Sequence, residues 1–155
     1  MEEFNINQQV IPAAFSKFKL RDLELQNRIA MAPMGQYQAV NGLINDWHFQ
    51  HYTSRALGGL GLILTELTAI SETGKITLGC AGIYNESQIV EWKRITNFIH
   101  KNTQTKIGIQ LGHSGRKGAT KKPWEGGEPL ENSWELLSAS PIAFNEKFAI
   151  PKEMT

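Results

Sequence analysis

The chain has 155 residues, 41% hydrophobic and 20% charged, the composition of a folded globular domain. Its 16 basic and 15 acidic side chains are interspersed, and a net charge of +1 is too weak a field for nucleic acid or an anionic membrane surface to be the partner. A single cysteine, Cys80, excludes an intrachain disulfide and a cysteine-rich metal site and suits a reducing, cytoplasmic setting; no window reaches the roughly 18 apolar residues of a membrane span.

Residues 1–14 lack apolar periodicity and the basic-then-apolar order of a signal peptide, so they read as a leader or linker. Phe18–Leu20 and Leu23–Leu25 alternate around Arg21-Asp22 as a small hairpin. Ile29–Ala32 is a short apolar run closed by Pro33, which cannot donate to a sheet, and reads as a strand. From Asn45 the spacing of Phe49, Tyr52, Ala56, Leu57 and Leu60 predicts one face of a helix. Asn45 is its cap, Asp46 adds negative charge to the first turn, Ile44 staples onto Phe49, and Gly58-Gly59 ends it.

Leu62–Thr65 reads as a second strand, followed by a loop holding Gly74, Gly79 and Gly82. Asn85 caps a second helix, with Gln88 at the capping-box position, Tyr84 stapling onto Ile89, and Lys101 in the last turn. Its buried stripe is Ile89, Trp92, Ile95, Phe98 and Ile99. Ile107–Leu111 is a third strand, leading into the segment GHSGRKG and a long polar stretch rich in Gly, Pro and Trp. Strands that are nearly continuously apolar and alternate with helices define an α/β chain with a parallel sheet. A closed eightfold barrel needs about 250 residues, so three strands lead us to expect an N-terminal piece of something longer.

In parallel sheets ligands sit at the carboxyl ends of the strands, which nominates Pro33–Tyr37, Glu66–Thr68 and Gln110–Lys117. Gln110 is a polar side chain in an apolar strand and needs a partner, either within the core or on a polar cofactor ring. GHSGRKG is no nucleophile elbow, because Arg116 takes the second glycine position, and Gly112, Gly115 and Gly118 fit no phosphate-loop spacing. It is then either a solvated loop or the mouth of a site, where His113 and Arg116 offer donors to an anionic or carbonyl group. His48 and His51 lack the partners of a metal motif and read as packing or surface residues, so no metal is expected. Cys80 reads as an incidental small residue, and Trp124 and Trp134 as hydrophobic anchors of the long loop.

The segments FKLRDLELQNRI, AMAPMGQY, DWHFQHYTSRALGGLGLILTELTAIS, GIYNESQIVEWKRI and KIGIQLGHSGRK follow one another in an informative order. From about Phe15 to the C-terminus the chain resembles the N-terminal part of the Old Yellow Enzyme family of FMN oxidoreductases. The resemblance implies a TIM (β/α)8 barrel with a hairpin across its bottom, incomplete in this chain, with residues 15–155 as its N-terminal portion. It implies FMN over the strand ends, with Ala32, Pro33, Met34 and Gly35 lining the isoalloxazine, Leu67 in contact with it and Gln110 on its pyrimidine edge. It places Tyr37 on the substrate side. The substrate-binding His/Asn pair, the proton donor and the phosphate loops would lie beyond Thr155.

The implied activity is reduction of FMN by NADH or NADPH, followed by hydride transfer to the activated C=C bond of a small unsaturated carbonyl compound. Gly35 departs from the Cys or Thr of many members, which removes a side chain that touches the flavin and implies a changed potential. The segments GCAGIYN, GHSGRKG, WEGGEPL and WELLSASPI are similar to the reductase-like half of bifunctional enzymes acting on aromatic acyl-CoA, an alternative substrate class. A further alternative is a non-catalytic part-barrel that pairs with another chain, a second copy included.

Overall fold

Arg21, at φ 52°, turns the chain between β1 (Phe18–Leu20) and β2 (Leu23–Leu25), which pair antiparallel from Phe18↔Leu25 to Leu20↔Leu23 as the alternation predicts. The computed structural model describes residues 11–131 and 133–155, so residues 1–10 of the expected leader lie outside the described residues. Its remainder runs into a 3-10 turn at Ala13–Phe15, and the Ala14 carbonyl accepts the N–H of Arg28 at 2.9 Å.

β3 (Ala30–Met31), β4 (Leu62–Ala69) and β5 (Lys106–Gly112) form one parallel sheet in that order, with α1 (Asp46–Leu57) and α2 (Glu86–Asn102) as its crossovers. β3 is two residues rather than the four expected. β4 runs four residues past the expected Thr65, so Glu66, Leu67 and Thr68 belong to the strand and not to the loop after it. The extension exists because β5 offers Gln110, Leu111 and Gly112 as further partners.

Both helices start where their caps predict. The Asn45 side chain accepts the Trp47 N–H at 3.0 Å, and Nδ1 of His48 reaches back to the Asn45 N–H at 3.2 Å, which completes a capping box. The Asn85 side chain accepts the Gln88 N–H at 3.1 Å, while Oε1 of the Gln88 side chain accepts the N–H of Tyr84, one residue before the cap, at 2.8 Å. Tyr52, Ala56, Ile63, Trp92, Ile95 and Ile99 form the core between the helices and the sheet, with Phe49 and Leu60 packed against it. Burying each large apolar side chain contributes about 1.5–3 kcal/mol. Leu57, expected on that face, is 61% exposed at the last position of α1, whereas His48 and His51 are buried in its first half.

Thr105 fastens the start of β5 to the end of α1, its hydroxyl donating to the carbonyls of Leu60 at 2.7 Å and Ala56 at 3.1 Å. Beyond β5 the polar stretch holds 3-10 turns at Gly115–Lys117 and Pro123–Glu125 and a short parallel pair, β6 (Leu137–Ser138) with β7 (Lys152–Glu153). Among the described residues no helix is long and apolar enough to cross a membrane.

Candidate functional site

The pairing of β4 with β5 shifts register between Leu64 and Leu67. An irregularity of this kind re-aims side chains and is common beside active sites. Leu64 and Leu67 both lie against β5 glycines: a Cβ at Gly108 would meet Leu64 at 3.0 Å, and one at Gly112 would meet Leu67 at 2.8 Å. Glu66, between them, reaches α1 instead. The Gln110 N–H finds the Thr65 hydroxyl as acceptor at 3.2 Å, which satisfies a donor at the break in the ladder.

Glu66 is 1% exposed and gathers groups from the loop after β3 and from α1. One carboxylate oxygen accepts the backbone N–H of Gln36 at 2.9 Å; the other accepts the Tyr52 hydroxyl at 3.3 Å and lies 3.4 Å from Nε2 of His48. Tyr52 also accepts the Glu66 backbone N–H at 3.0 Å. Burial pushes the Glu66 carboxyl up to about 7, against the opposing pull of the Gln36 N–H, the Tyr52 hydroxyl and the Tyr37 N–H. Burial, reinforced by His51, holds His48 down at about 4, and burial with Arg55 does the same to His51. The short His48–Glu66 approach therefore joins a neutral imidazole to a carboxyl and is not an ion pair. Nδ1 of His48 lies 3.2 Å from both the N–H and Oδ1 of Asn45. The Asn45 N–H can only donate, so Nδ1 is the acceptor and Nε2 carries the proton, on the Glu66 side but without a hydrogen bond to a described residue.

The cluster clamps the loop after β3 to the end of β4. That loop carries Ala32, Pro33, Met34 and Gly35; Ala32 is open to solvent and Met34 is 45% exposed. Leu67, half-buried, pairs in register with Gln110 on the adjacent strand. Gln110 is exposed, not enclosed as its apolar neighbours suggest, and its amide makes no hydrogen bond with a described residue. The reason is that β5 is paired on one side only in this sheet. An open apolar loop, a leucine and a free amide at the ends of three adjacent strands fit a flat ring with an apolar body and a polar edge, as FMN has.

Tyr37 follows in the left-handed region at φ 53°, with its ring folded over Gly35, where a Cβ would lie 3.0 Å from Cζ. Burial raises its hydroxyl above the ordinary tyrosine range. His113 and Arg116 are half-buried and locally engaged: Nδ1 of His113 accepts the Gly115 N–H at 3.0 Å, and the Arg116 guanidinium donates to Ser140 at 2.7 Å. Trp134 anchors the long loop as expected, its indole donating to the Thr73 carbonyl at 3.0 Å. Trp124 does not anchor it; the ring is 61% exposed and meets the Tyr37 ring edge-on at 5.7 Å. Cys80 is buried, with its sulfur 3.3 Å from the Thr77 N–H, and among the described residues no group of three or more His, Cys, Asp or Glu could hold a metal.

The strand-end rule reaches Glu66 but assigns it no role. An ionisable residue inside the apolar run LILTELTA is the signal that marks it.

A three-stranded parallel sheet with helical crossovers and the candidate residues at its carboxyl ends is a βαβαβ unit of an α/β protein. The model of the NADH:flavin oxidoreductase / NADH oxidase family matches residues 14–155. An NADPH dehydrogenase of Listeria monocytogenes serotype 4a (strain HCC23) is 41% identical over 143 residues, 91% of this chain and 38% of that protein. The old yellow enzyme from Trypanosoma cruzi superposes with a TM-score of 0.77 at 29% identity, over 93% of this chain and 42% of its own. Morphinone reductase, at 24% identity and a TM-score of 0.75, shares the fold. The chain belongs to the NADH:flavin oxidoreductase family, the Old Yellow Enzyme family, whose members use FMN with NAD(P)H. It has the fold of the N-terminal part of their TIM barrels and spans 38% of the length of the curated relative above.

Proposed function

We propose that these residues form part of the flavin platform of an NAD(P)H-dependent oxidoreductase that reduces a C=C bond activated by a carbonyl group. The supporting observation is the convergence of the Ala32–Gly35 loop, Leu67 and Gln110 at the carboxyl ends of three neighbouring strands. When bound, FMN supplies hydride chemistry, taking two electrons from NAD(P)H and giving them to the alkene.

The chain's own residues bind and orient. Ala32–Gly35 and Leu67 offer apolar surface to the ring, and the Gln110 amide offers one donor group and one acceptor to its pyrimidine edge. Glu66 fixes the loop from beneath through the Gln36 N–H. Tyr37, held over Gly35 and against Trp124, presents its phenol to the substrate side.

The test uses the protein at its native length. Purified protein is expected to carry FMN, to lose the flavin's visible colour when mixed with NADPH or NADH without oxygen, and to regain it on adding an enone. Protein that takes up no flavin, or whose flavin is not bleached by either dinucleotide, overturns the reading. Recovery with an aromatic acyl-CoA and not with simple enones would move the substrate to that class.

A further inference from the structure

A cavity adjoins the loop after β3. The segments 117–129 and 144–148 enclose a cleft of about 590 Å³, with Tyr37 at one rim. This lies within the range of small-molecule pockets, about 300–1,000 Å³. Three lysines, Lys117, Lys121 and Lys147, line it against one carboxylate, Glu128. Lys147 pairs with Glu128 at 3.2 Å, and neither Lys117 nor Lys121 makes an ion pair with a described residue.

Aromatic rings line it as well. Phe144 and Phe148 also border the cleft and meet edge-on at 5.1 Å, and the Lys117 ammonium stands 4.8 Å over the Phe144 ring. Lys121 sits on backbone braced on both sides: Thr120 donates to Ile76 at 2.8 Å and Lys121 to the Glu128 carbonyl at 2.8 Å. Gly126 and Gly127, at φ 100° and 63°, form a wall without side chains. Uncompensated ammonium groups beside aromatic faces recognise a multiply charged anion joined to a flat ring. A simple enone lacks that chemistry, and the family resemblance places the loops that hold the FMN phosphate beyond Thr155, away from this cleft.

We propose that this cleft binds the phosphorylated adenosine arm of a nucleotide reactant, leaving the reactive end to enter past Tyr37. The proposal rests on the oxidoreductase reading for the identity of that reactant. Two molecules carry such an arm: NADPH, with a 2′-phosphate on its adenosine, and an acyl-CoA, with a 3′-phosphate. The shared chemistry is adenosine bearing phosphates at two positions.

The test is calorimetric titration of the native-length protein with adenosine 2′,5′-bisphosphate, adenosine 3′,5′-bisphosphate and adenosine. One bisphosphate is expected to bind at least about tenfold more tightly than adenosine, and its affinity should fall with added salt. Which bisphosphate wins identifies the source. Lys117→Ala and Lys121→Ala should each weaken it about tenfold, whereas Lys93→Ala on α2 should not. Failure of both bisphosphates to bind, salt-independent binding, or wild-type affinity in both cleft variants overturns the proposal. If a lysine variant fails to fold, the wild-type salt dependence still decides. Because the titration needs no turnover, bisphosphate binding by a protein whose flavin NAD(P)H cannot reduce would remove the oxidoreductase reading and leave the cleft.

Discussion

The Glu66 carboxylate accepts the backbone N–H of Gln36 at 2.9 Å across 30 residues of sequence, so the loop that would face a flavin is fixed by a buried acid on the neighbouring strand. At pH 6 that acid is mostly protonated, since burial holds its pKa at about 7. Glu66→Gln reproduces the protonated form without the proton uptake that wild type needs on folding, so it should match wild-type stability near pH 4.5, exceed it by about 2 kcal/mol at pH 6, and leave FMN affinity at pH 6 close to wild type. Glu66→Leu removes the acceptor, at a cost of about 1–3 kcal/mol for each donor left buried. Denaturant unfolding with FMN titration checks both, and equal behaviour of the two variants would show that the hydrogen bonds do not hold the loop.

Tyr52→Phe tests the same cluster from α1. The hydroxyl both donates to the Glu66 carboxylate and accepts the Glu66 backbone N–H, and its loss strands a donor in a fully buried place. The expected destabilisation is about 1–3 kcal/mol by chemical denaturation. A neutral result would mean that water replaces the hydroxyl.

The cluster also sets a pH dependence. Glu66, raised from 4.5 to about 7 on folding, contributes stability present below 4.5 and lost as pH rises through 7. His48 and His51, lowered from 6.5 to about 4, contribute stability present above 6.5 and lost as pH falls through 4. Between 4.5 and 6.5 the two histidines outweigh the one acid, so stability should rise by about 1.4 kcal/mol per pH unit. It should then level and decline slightly toward pH 7. Glu66→Gln removes the upper decline and steepens the lower rise. Unfolding midpoints across this range check the shape, and a maximum at pH 5 would contradict it.

What could be read in the sequence was what local chemistry decides. Arg21-Asp22 turns a hairpin, Asn45 and Asn85 stop their side chains on the first helical N–H groups, and Trp92, Ile95 and Ile99 repeat at helical spacing. The length of β4 depends on β5, more than 40 residues on, and so does the shift that turns Glu66 away from Leu67. Gln110 looks enclosed from its neighbours, yet exposure depends on what pairs beside β5 and not on the strand's own residues. His48 and His51 are polar by type and buried by place, because a cap contact and the Glu66 carboxyl give His48 polar neighbours that composition does not reveal.

Gln110→Leu separates binding from folding. The side chain is exposed and unpaired among the described residues, so its replacement should change stability by less than about 0.5 kcal/mol. The same change removes the side chain proposed for the polar edge of the ring, and FMN affinity should fall at least about tenfold, the worth of a good hydrogen bond. Flavin retention on desalting with a thermal melt reads both; unchanged retention would move the ring away from β5.

Gly35 tests the platform from the other strand. A Cβ there would stand 3.0 Å from the Tyr37 ring, so Gly35→Ala displaces the phenol without adding a polar group, whereas Gly35→Cys displaces it and adds a thiol. The two effects have different readouts. Loss of Tyr37 placement should raise the substrate KM in both variants to a similar degree, while a thiol against the flavin should shift its reduction potential in the cysteine variant only. A shift common to both would assign the potential to the tyrosine, and no shift in either would mean that Gly35 does not face the flavin at all.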